Sequence, residues 1–303
     1  MKKAVVTDRI AGIYSSVFSE RNIHRIERIV VLLALLGFLV HLLLIFLWKS
    51  TWVSDPFFDQ FSGSYISAIY TPFSFLLIYE VFLFLVYLPK SFTRSIGKQY
   101  EIISLIELRR IFKVISHLDT KNITQDFSQY SELFIDMATV LVLFLLIGIF
   151  YHLKNRQPNT DSCSDIKSFV AIKRVTSMIL VPVLLGLATY SFGNWAIHLF
   201  SNSQLPSHLQ QDINHVFYDI FFSLLIFVDV FILIVSFLYT HYYSQLIRNS
   251  GFIISTILIR LSFTSSHLTN VFLVVASVIF GVLILLLYNY FIRFDEKKIE
   301  SPG

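Results

Sequence analysis

Residues 101–112, EIISLIELRRIF, carry two glutamates and two arginines within an otherwise apolar stretch. A helix that lies on a membrane surface should show one apolar face and one polar face. On a helical wheel the charged side chains of this stretch instead point in several directions, with apolar side chains between them. This pattern favours a helix enclosed in a protein bundle. Whether residues 96–118 cross the membrane decides how many spans the chain has.

The composition places the chain among membrane proteins. Its 303 residues are 55% hydrophobic and only 15% charged, and the mean hydropathy is +0.68. A soluble domain of this size could not cover so much apolar surface with so few charges. The apolar runs 29–48 and 271–288 each suit one helical crossing of a hydrocarbon layer about 30 Å thick. The sequence therefore predicts an all-α, polytopic integral membrane helical bundle in a lipid bilayer.

The two halves of the chain share two blocks of sequence. Residues 102–112, IISLIELRRIF, match residues 253–263, IISTILIRLSF, and residues 80–86, EVFLFLV, match residues 229–235, DVFILIV. A Ser-His-Leu tripeptide follows the arginine block in both halves. Matching acids, serines, arginines and histidines are harder to obtain by chance than matching leucines. The pattern predicts an internal duplication, with two parallel repeats of four helices each.

The polar segments set the predicted boundaries of these repeats. The chain is expected to begin with a cytoplasmic N-terminal segment at 1–27, followed by a first membrane repeat at 28–153. The longest internal polar segment, 154–168, is the predicted linker. A second membrane repeat is predicted at 169–293, and residues 294–303 form a predicted cytoplasmic tail.

The distribution of Lys and Arg distinguishes two topologies. If residues 96–118 and 252–268 cross the membrane, the chain has eight spans, with 18 of the 24 basic residues inside, two outside and four within spans. If both segments lie on the surface as interfacial helices, there are six spans, with 16 basic residues inside and eight outside. The positive-inside rule favours eight spans in the plasma (inner) membrane, with a cytoplasmic N-terminus. The six-span arrangement remains the alternative.

Four charged residues at repeat-related positions are the main site candidates. Glu80 and Asp229 each interrupt an apolar span, and Arg109 and Arg260 follow in the next helix of each half. Intramembrane acids usually face a bundle interior or an aqueous path, and commonly mark ion or proton routes. We expect the pairs Glu80–Arg109 and Asp229–Arg260, either on an ion path or as structural ion pairs. The regular arginine ladder of a voltage sensor is absent.

Five further polar residues are secondary candidates. Glu107 is spaced to pair with Arg110 along its helix. Asp136 lies early in the span that follows, where an acid would favour the dipole at a helix N-terminus. His117 and His267 recur in the repeat. A role in capping or at the membrane interface is expected for these histidines, with pH sensing as the functional alternative.

Several classes of function lack their sequence signals. The single cysteine, Cys163, excludes an intrachain disulfide and a cysteine-based metal site. The histidines have no metal-ligand spacing, and there is no P-loop, H-E-x-x-H motif, serine elbow or Gly-Tyr-Gly filter. No basic patch is interleaved with aromatic residues, as nucleic-acid binding would require. We therefore expect no cofactor, no metal, no nucleic-acid partner and no enzymatic activity, although a membrane enzyme stays a minor alternative.

The functional prediction follows from the buried charges. An ion channel or an ion/proton-coupled transporter, with an inorganic ion or proton as its partner, would place its route near Glu80 and Asp229. The alternative is a non-transporting membrane sensor or assembly subunit, in which the same charges only fix the register of the helices. The sequence also leaves open a homo-oligomer with a pore along its axis.

Overall fold

In the computed structural model, the described residues are helical apart from short turns, and no strand occurs among them. The prediction of an all-α chain is therefore confirmed for this part of the sequence. The described residues are 12, 14, 18–49, 65–117, 127–155, 169–183, 186, 213–239 and 242–300.

The described helices follow one another with short connections wherever both ends are described. A 3₁₀ helix, Tyr65–Ile69, leads directly into the second α-helix. The α-helices are α1 (Glu20–Lys49), α2 (Tyr70–Tyr87), α3 (Phe92–His117), α4 (Phe127–Lys154), α5 (169–183), α6 (Ile213–Tyr239), α7 (Tyr243–Ser262) and α8 (His267–Glu300).

The contacts divide the chain into two compact units. Unit 1 comprises Met1–Tyr14, Tyr87–Gln99 and Leu146–Gly303. Unit 2 comprises Ser15–Val86 and Tyr100–Leu145. Unit 1 therefore contains α5 to α8, and unit 2 contains α1 and α2 with most of α3 and α4.

Four helices contain a stretch that is long and apolar enough to cross a membrane. These candidate spans, identified by length and composition within the described residues, are Glu20–Leu47, Tyr130–Lys154, Ile220–Tyr239 and His267–Ile292. Helices α3 and α7 are not among them, because charged and amide side chains interrupt their apolar sequences. The architecture is compatible with an integral membrane protein, while eight spans and two repeats remain predictions.

In unit 1, the polar helix α7 packs against the apolar helices α6 and α8. Its buried side chains include several polar ones, and the hydroxyl of Ser255 donates a hydrogen bond to the carbonyl of Ser277 on α8 at 2.7 Å. The apolar neighbours instead expose large side chains, such as Leu238 on α6 (74% exposed) and Phe272 on α8 (71%). Polar groups are enclosed and apolar groups face outward, which is the reverse of a soluble bundle.

Unit 2 shows the same arrangement. On helix α1, the apolar residues Ala34 and Ile45 are buried, while most of the leucines are exposed. His41 on α1 and Thr71 on α2 are joined by a 2.5 Å hydrogen bond. On α4, Leu141 is 68% exposed. The outward apolar surface is what a helix needs in lipid, where its own backbone hydrogen bonds are already satisfied.

The observed helix boundaries differ from the predicted ones at two places. The predicted crossing 252–268 extends too far at its C-terminal end, because α7 runs from Tyr243 to Ser262 and residues 263–266 form the turn before α8. Asn270 explains the early end, since its side-chain amide donates to the carbonyl of Ser262 at 2.9 Å and so satisfies a terminal acceptor of α7.

Helix α1 begins earlier than the predicted span. The Ser19 hydroxyl accepts a hydrogen bond from the amide of Asn22 at 3.2 Å, as an N-cap does. The helix then continues without a break across residues 27 and 28. Residues 156–168, which include most of the predicted linker and Cys163, lie outside the described residues, so the division into repeats there remains a prediction.

Candidate functional site

The first buried charge pair lies in unit 1 and joins α6 to α7. Nη1 of Arg260 is 2.5 Å from Oδ2 of Asp229. The hydroxyl of Thr256 donates a hydrogen bond to the same oxygen at 3.0 Å. Thr256 and Arg260 are four residues apart on α7, which places both side chains on the face turned to α6. The Asp229 carboxylate therefore has a cation and a neutral donor as partners.

Arg260 also contacts the first part of α3, which belongs to the same unit. Its Nη2 donates to Oε1 of Gln99 at 3.4 Å, and Nε2 of Gln99 donates to the hydroxyl of Ser95, also at 3.4 Å. All three side chains are buried. At these distances the hydrogen bonds are weak. They nevertheless give the guanidinium a second acceptor besides Asp229.

The second pair lies in unit 2 and joins α2 to α3. Nη1 of Arg109 is 3.4 Å from Oε2 of Glu80, and the two side chains are 9% and 8% exposed. Glu80 is the single charged residue of α2, so its burial among apolar side chains requires a compensating charge. The next helix supplies that charge through Arg109.

A further pair of contacts in unit 2 centres on Arg110. Its Nη1 is 3.0 Å from Oε2 of Glu107 on α3, and its Nε is 3.6 Å from Oδ2 of Asp136 on α4. The expectation that Asp136 acts at a helix N-terminus is wrong, because α4 begins at Phe127 and Asp136 lies in its third turn. The Asp136 carboxylate is buried and connects α4 to α3.

The charge balance of the unit 2 site is uneven. Three buried carboxylates, of Glu80, Glu107 and Asp136, share two guanidiniums, of Arg109 and Arg110. When all are ionised, these five groups together carry one net negative charge. Such a site attracts a cation or a proton more strongly than an evenly balanced pair does.

Among the described residues of unit 1 there is a further buried cation, Lys173, which the sequence did not reveal as a site residue. Lys173 on α5 is 2% exposed, and both Asp229 and Arg248 act on it electrostatically. The signal that could have revealed it is its place directly after the apolar run 169–172, FVAI. A lysine that ends such a run is easily counted with the polar linker before it.

The two repeat-related histidines lie at helix ends. His117 is the last residue of α3 and His267 the first of α8. The hydroxyls of Ser266 and Thr269 are 3.0 Å apart beside His267, as in a capped helix start. The side chain of His117 lies outside the described part of the chain, and pH sensing by either histidine remains a prediction. Within the described residues, no group of three or more His, Cys, Asp or Glu side chains is placed to hold a metal ion.

The arrangement permits the exchange of charged partners. In a poorly hydrated interior, a carboxylate and a guanidinium attract each other far more strongly than in water. An ion or proton that reaches the carboxylate competes with that attraction, and the arginine then needs another acceptor. The same pairs also hold helices in register when nothing competes with them.

The structure brings the four main candidates together as the two predicted pairs, and groups Glu107, Arg110 and Asp136 in unit 2. The chain matches no known family model, no curated protein and no solved structure. Function is therefore inferred from the buried charges and from the helices that carry them.

Proposed function

We propose that this chain is an integral membrane ion channel or ion/proton-coupled transporter, and that the pairs Glu80–Arg109 and Asp229–Arg260 lie on its ion route. The observation that carries the proposal is that each unit buries an acid–arginine pair between two helices. Charges inside a membrane are costly and usually mark ion or proton routes. The transported species is an inorganic ion or a proton, and no enzymatic step forms part of the proposal.

In this proposal α3 and α7 cross the membrane, which gives eight spans. The burial of their charged side chains supports such a placement, since a helix on the membrane surface would turn its charges to water. Glu107 on α3 is 1% exposed and Arg260 on α7 is 2% exposed. The exposed apolar faces of α1, α4, α6 and α8 would then contact lipid.

The proposed eight spans form two parallel repeats of four helices. The order of the charged residues supports this arrangement. Glu80 on α2 pairs with Arg109 on the next helix, and Asp229 on α6 pairs with Arg260 on the next helix. A long apolar helix follows in both cases, α4 in the first half and α8 in the second.

Transport in this scheme proceeds by exchange of partners at the two carboxylates. An incoming cation or proton neutralises Asp229 in place of Arg260, and the guanidinium keeps Gln99 as its second acceptor. At the unit 2 site, the excess of carboxylates over guanidiniums provides the negative charge that favours entry of the cation. Each exchange changes which helices are tied together, as gating elements require.

The direct test measures ion flux through the purified chain in proteoliposomes. Wild-type protein is assayed with H⁺, Na⁺, K⁺ and Cl⁻ gradients, and Glu80→Gln and Asp229→Asn are compared with it. We expect each variant to lower flux or shift selectivity about tenfold, corresponding to ~1.4 kcal/mol in the barrier for permeation. Glu27→Gln is the matched control. The Glu27 side chain is exposed, and its described ion pair is with the exposed His24 on the same helix.

If Glu80→Gln and Asp229→Asn both showed the same ion flux and selectivity as the wild-type protein, the proposal would be contradicted. Reconstitution must be matched, so protein incorporation and orientation are quantified for every variant. A loss of flux in Glu27→Gln of the same size would show that the assay reports a general effect of acid removal rather than the ion route.

A second candidate is a non-transporting membrane subunit, either a sensor or an assembly partner. It is favoured by the fact that, in the described part of the chain, each of the buried carboxylates of Glu80, Glu107, Asp136 and Asp229 already has an arginine at 3.6 Å or closer. Such pairs could serve only to fix helix register. This candidate predicts no flux of any of the four ions through wild-type protein, together with a loss of stability in detergent for Glu80→Gln.

A further inference from the structure

Two lysines of unit 1 come together at the C-terminal end of α4. Nζ of Lys154 lies 4.6 Å from the ring centroid of Tyr151 on the same helix. A Cβ atom at Gly97 on α3 would lie 3.2 Å from the hydroxyl oxygen of Tyr151, so this ring packs against the backbone of α3. Lys98 follows Gly97 directly, and its Nζ lies 5.7 Å from the ring centroid of Tyr87. The two lysines therefore belong to the same end of unit 1.

An arginine on α7 lies at this end as well. The guanidinium carbon of Arg248 is 4.4 Å from the ring centroid of Tyr288 on α8. The next residue, Asn289, donates a hydrogen bond from Nδ2 to the carbonyl of Leu153 at 2.9 Å. Because Leu153 precedes Lys154, the part of α8 beneath the guanidinium is joined to the last turn of α4. Three helices thus bring one cation each to the same place.

Lys98, Lys154 and Arg248, here called the basic cluster, lie at the level where two candidate spans end. Lys154 is the last residue of the span Tyr130–Lys154, and the span His267–Ile292 ends about one turn beyond the ring under Arg248. All three cations are partly exposed. Tyrosine rings with Lys and Arg are typical of the border between the hydrocarbon and the headgroups. A lipid headgroup can therefore reach the basic cluster.

Unit 1 carries a large excess of positive charge. Among its described side chains, eight are Lys or Arg and one, Asp229, is acidic. The described side chains of unit 2 include six Lys or Arg and seven Asp or Glu, so the excess belongs to unit 1. The sequences 156–168 and 293–300, which continue from α4 and α8, contain equal numbers of acidic and basic residues. A surface with such an excess attracts anions.

We propose that the basic cluster binds the headgroup of an anionic phospholipid. The lipid phosphate lies between the two ammonium groups and the guanidinium, as in other basic pockets at the ends of membrane helices. Exposed apolar side chains within two turns of the cluster, such as Ile149 on α4 and Leu287 on α8, offer a surface for the acyl chains. The proposal requires that α4 and α8 lie in a membrane, and it requires no ion transport.

Arg248 is the member of the basic cluster that is best placed to orient the phosphate. Its Nε and Nη2 donate to Oδ1 of Asn249 at 3.2 Å and 3.1 Å, and the ring of Tyr288 lies against the guanidinium. These contacts hold the side chain in one conformation, so less freedom is lost when an anion binds. A guanidinium can also bind two phosphate oxygens at once, whereas an ammonium acts as a point charge.

Native mass spectrometry of the full chain, released from detergent micelles, tests the lipid site. The protein is titrated with phosphatidylglycerol and, separately, with phosphatidylcholine, whose headgroup has a phosphate but no net charge. We expect wild-type protein to bind the first phosphatidylglycerol about tenfold more tightly, because only this lipid gives the cluster a net counter-charge. In a further arm, inorganic phosphate in large excess should leave the bound lipid in place.

Three variants locate the binding. Lys154→Gln and Arg248→Gln should each weaken phosphatidylglycerol binding about fivefold and leave phosphatidylcholine binding unchanged. Arg248→Lys should also weaken it, because the charge is kept but the two-oxygen contact is lost. Arg25→Gln is the matched control, since Arg25 is an exposed arginine on α1 in unit 2 and its loss should leave the affinity of the first lipid unchanged. Each variant is first checked for elution as a single folded species.

Three outcomes would overturn the lipid site. Equal affinity of wild-type protein for the two lipids would do so without any variant. A loss in Arg25→Gln as large as that in Lys154→Gln would show that binding follows net charge and not the basic cluster. Displacement of the lipid by inorganic phosphate would assign the cluster to a free anion. None of these measurements involves ion flux, so the lipid site and the proposed function fail separately.

Discussion

Arg260 and Asp229 form an ion pair whose side chains are only 2% and 3% exposed, although they come from different helices. Thr256 and Gln99 supply further hydrogen bonds to the pair. A guanidinium this far from water is tolerated because the carboxylate lies beside it, and the carboxylate depends on the guanidinium in the same way. The loss of one partner should therefore cost more than the loss of both.

Removal of either member of this pair should destabilise the fold strongly. We expect Arg260→Met and Asp229→Asn each to lower the free energy of unfolding by about 3–5 kcal/mol, because each leaves an uncompensated polar or charged group buried. The double variant should be more stable than the sum of the two losses predicts. Unfolding in mixed micelles, followed by far-UV circular dichroism, measures all three.

Arg248→Met provides the control for loss of an arginine on α7. Arg248 lies over the ring of Tyr288 at 4.4 Å and is only partly buried, so its loss should cost about 1 kcal/mol. Strictly additive losses in the Asp229 and Arg260 variants would show that the two groups do not interact energetically.

The sequence made the two acid–arginine pairs predictable because each member stands out locally. Glu80 and Asp229 interrupt apolar helices, and charge compensation requires a partner at similar depth. Only the next helix of each half offers an arginine at a repeat-related position, Arg109 and Arg260. Composition alone also predicted an all-α chain, since the apolar runs have the length of helical spans.

Other features of the site depend on packing that local sequence does not encode. In the sequence, Asp136 resembles an acid in the first turn of a helix. In the structure α4 begins at Phe127, so Asp136 lies in the third turn of that helix, beside Arg110. Lys173 lies at the edge of a polar segment, and its burial arises from aromatic rings on other parts of the chain. The end of α7 is set by Asn270, eight residues further along.

The contact between α7 and α8 provides a second prediction. A Cβ atom at Gly251 would lie 2.7 Å from Cγ1 and Cδ1 of Ile284, closer than real Cβ contacts allow. Gly251→Ala should therefore lower the free energy of unfolding by about 1–3 kcal/mol. In an Ile284→Ala background, where the obstructing atoms are absent, the same substitution should cost much less.

Gly148→Ala is the matched control, because nothing lies within 4 Å of a Cβ atom placed at Gly148 on α4. Alanine there should be neutral or stabilising by about 0.5–1 kcal/mol, as expected for glycine replacement inside a helix. If Gly251→Ala were as well tolerated as Gly148→Ala, or cost the same with and without Ile284, the close packing of α7 on α8 would be refuted.

The most direct measurement of whether the polar helices cross the membrane compares the sides on which two cysteines react. Lys3→Cys and Lys121→Cys are introduced separately into a Cys163→Ala background and exposed to a membrane-impermeant maleimide, before and after permeabilisation. If α3 crosses the membrane, three spans separate the two positions, and they should label from opposite sides. Labelling of both cysteines from the same side would place α3 on the membrane surface and contradict the eight-span arrangement.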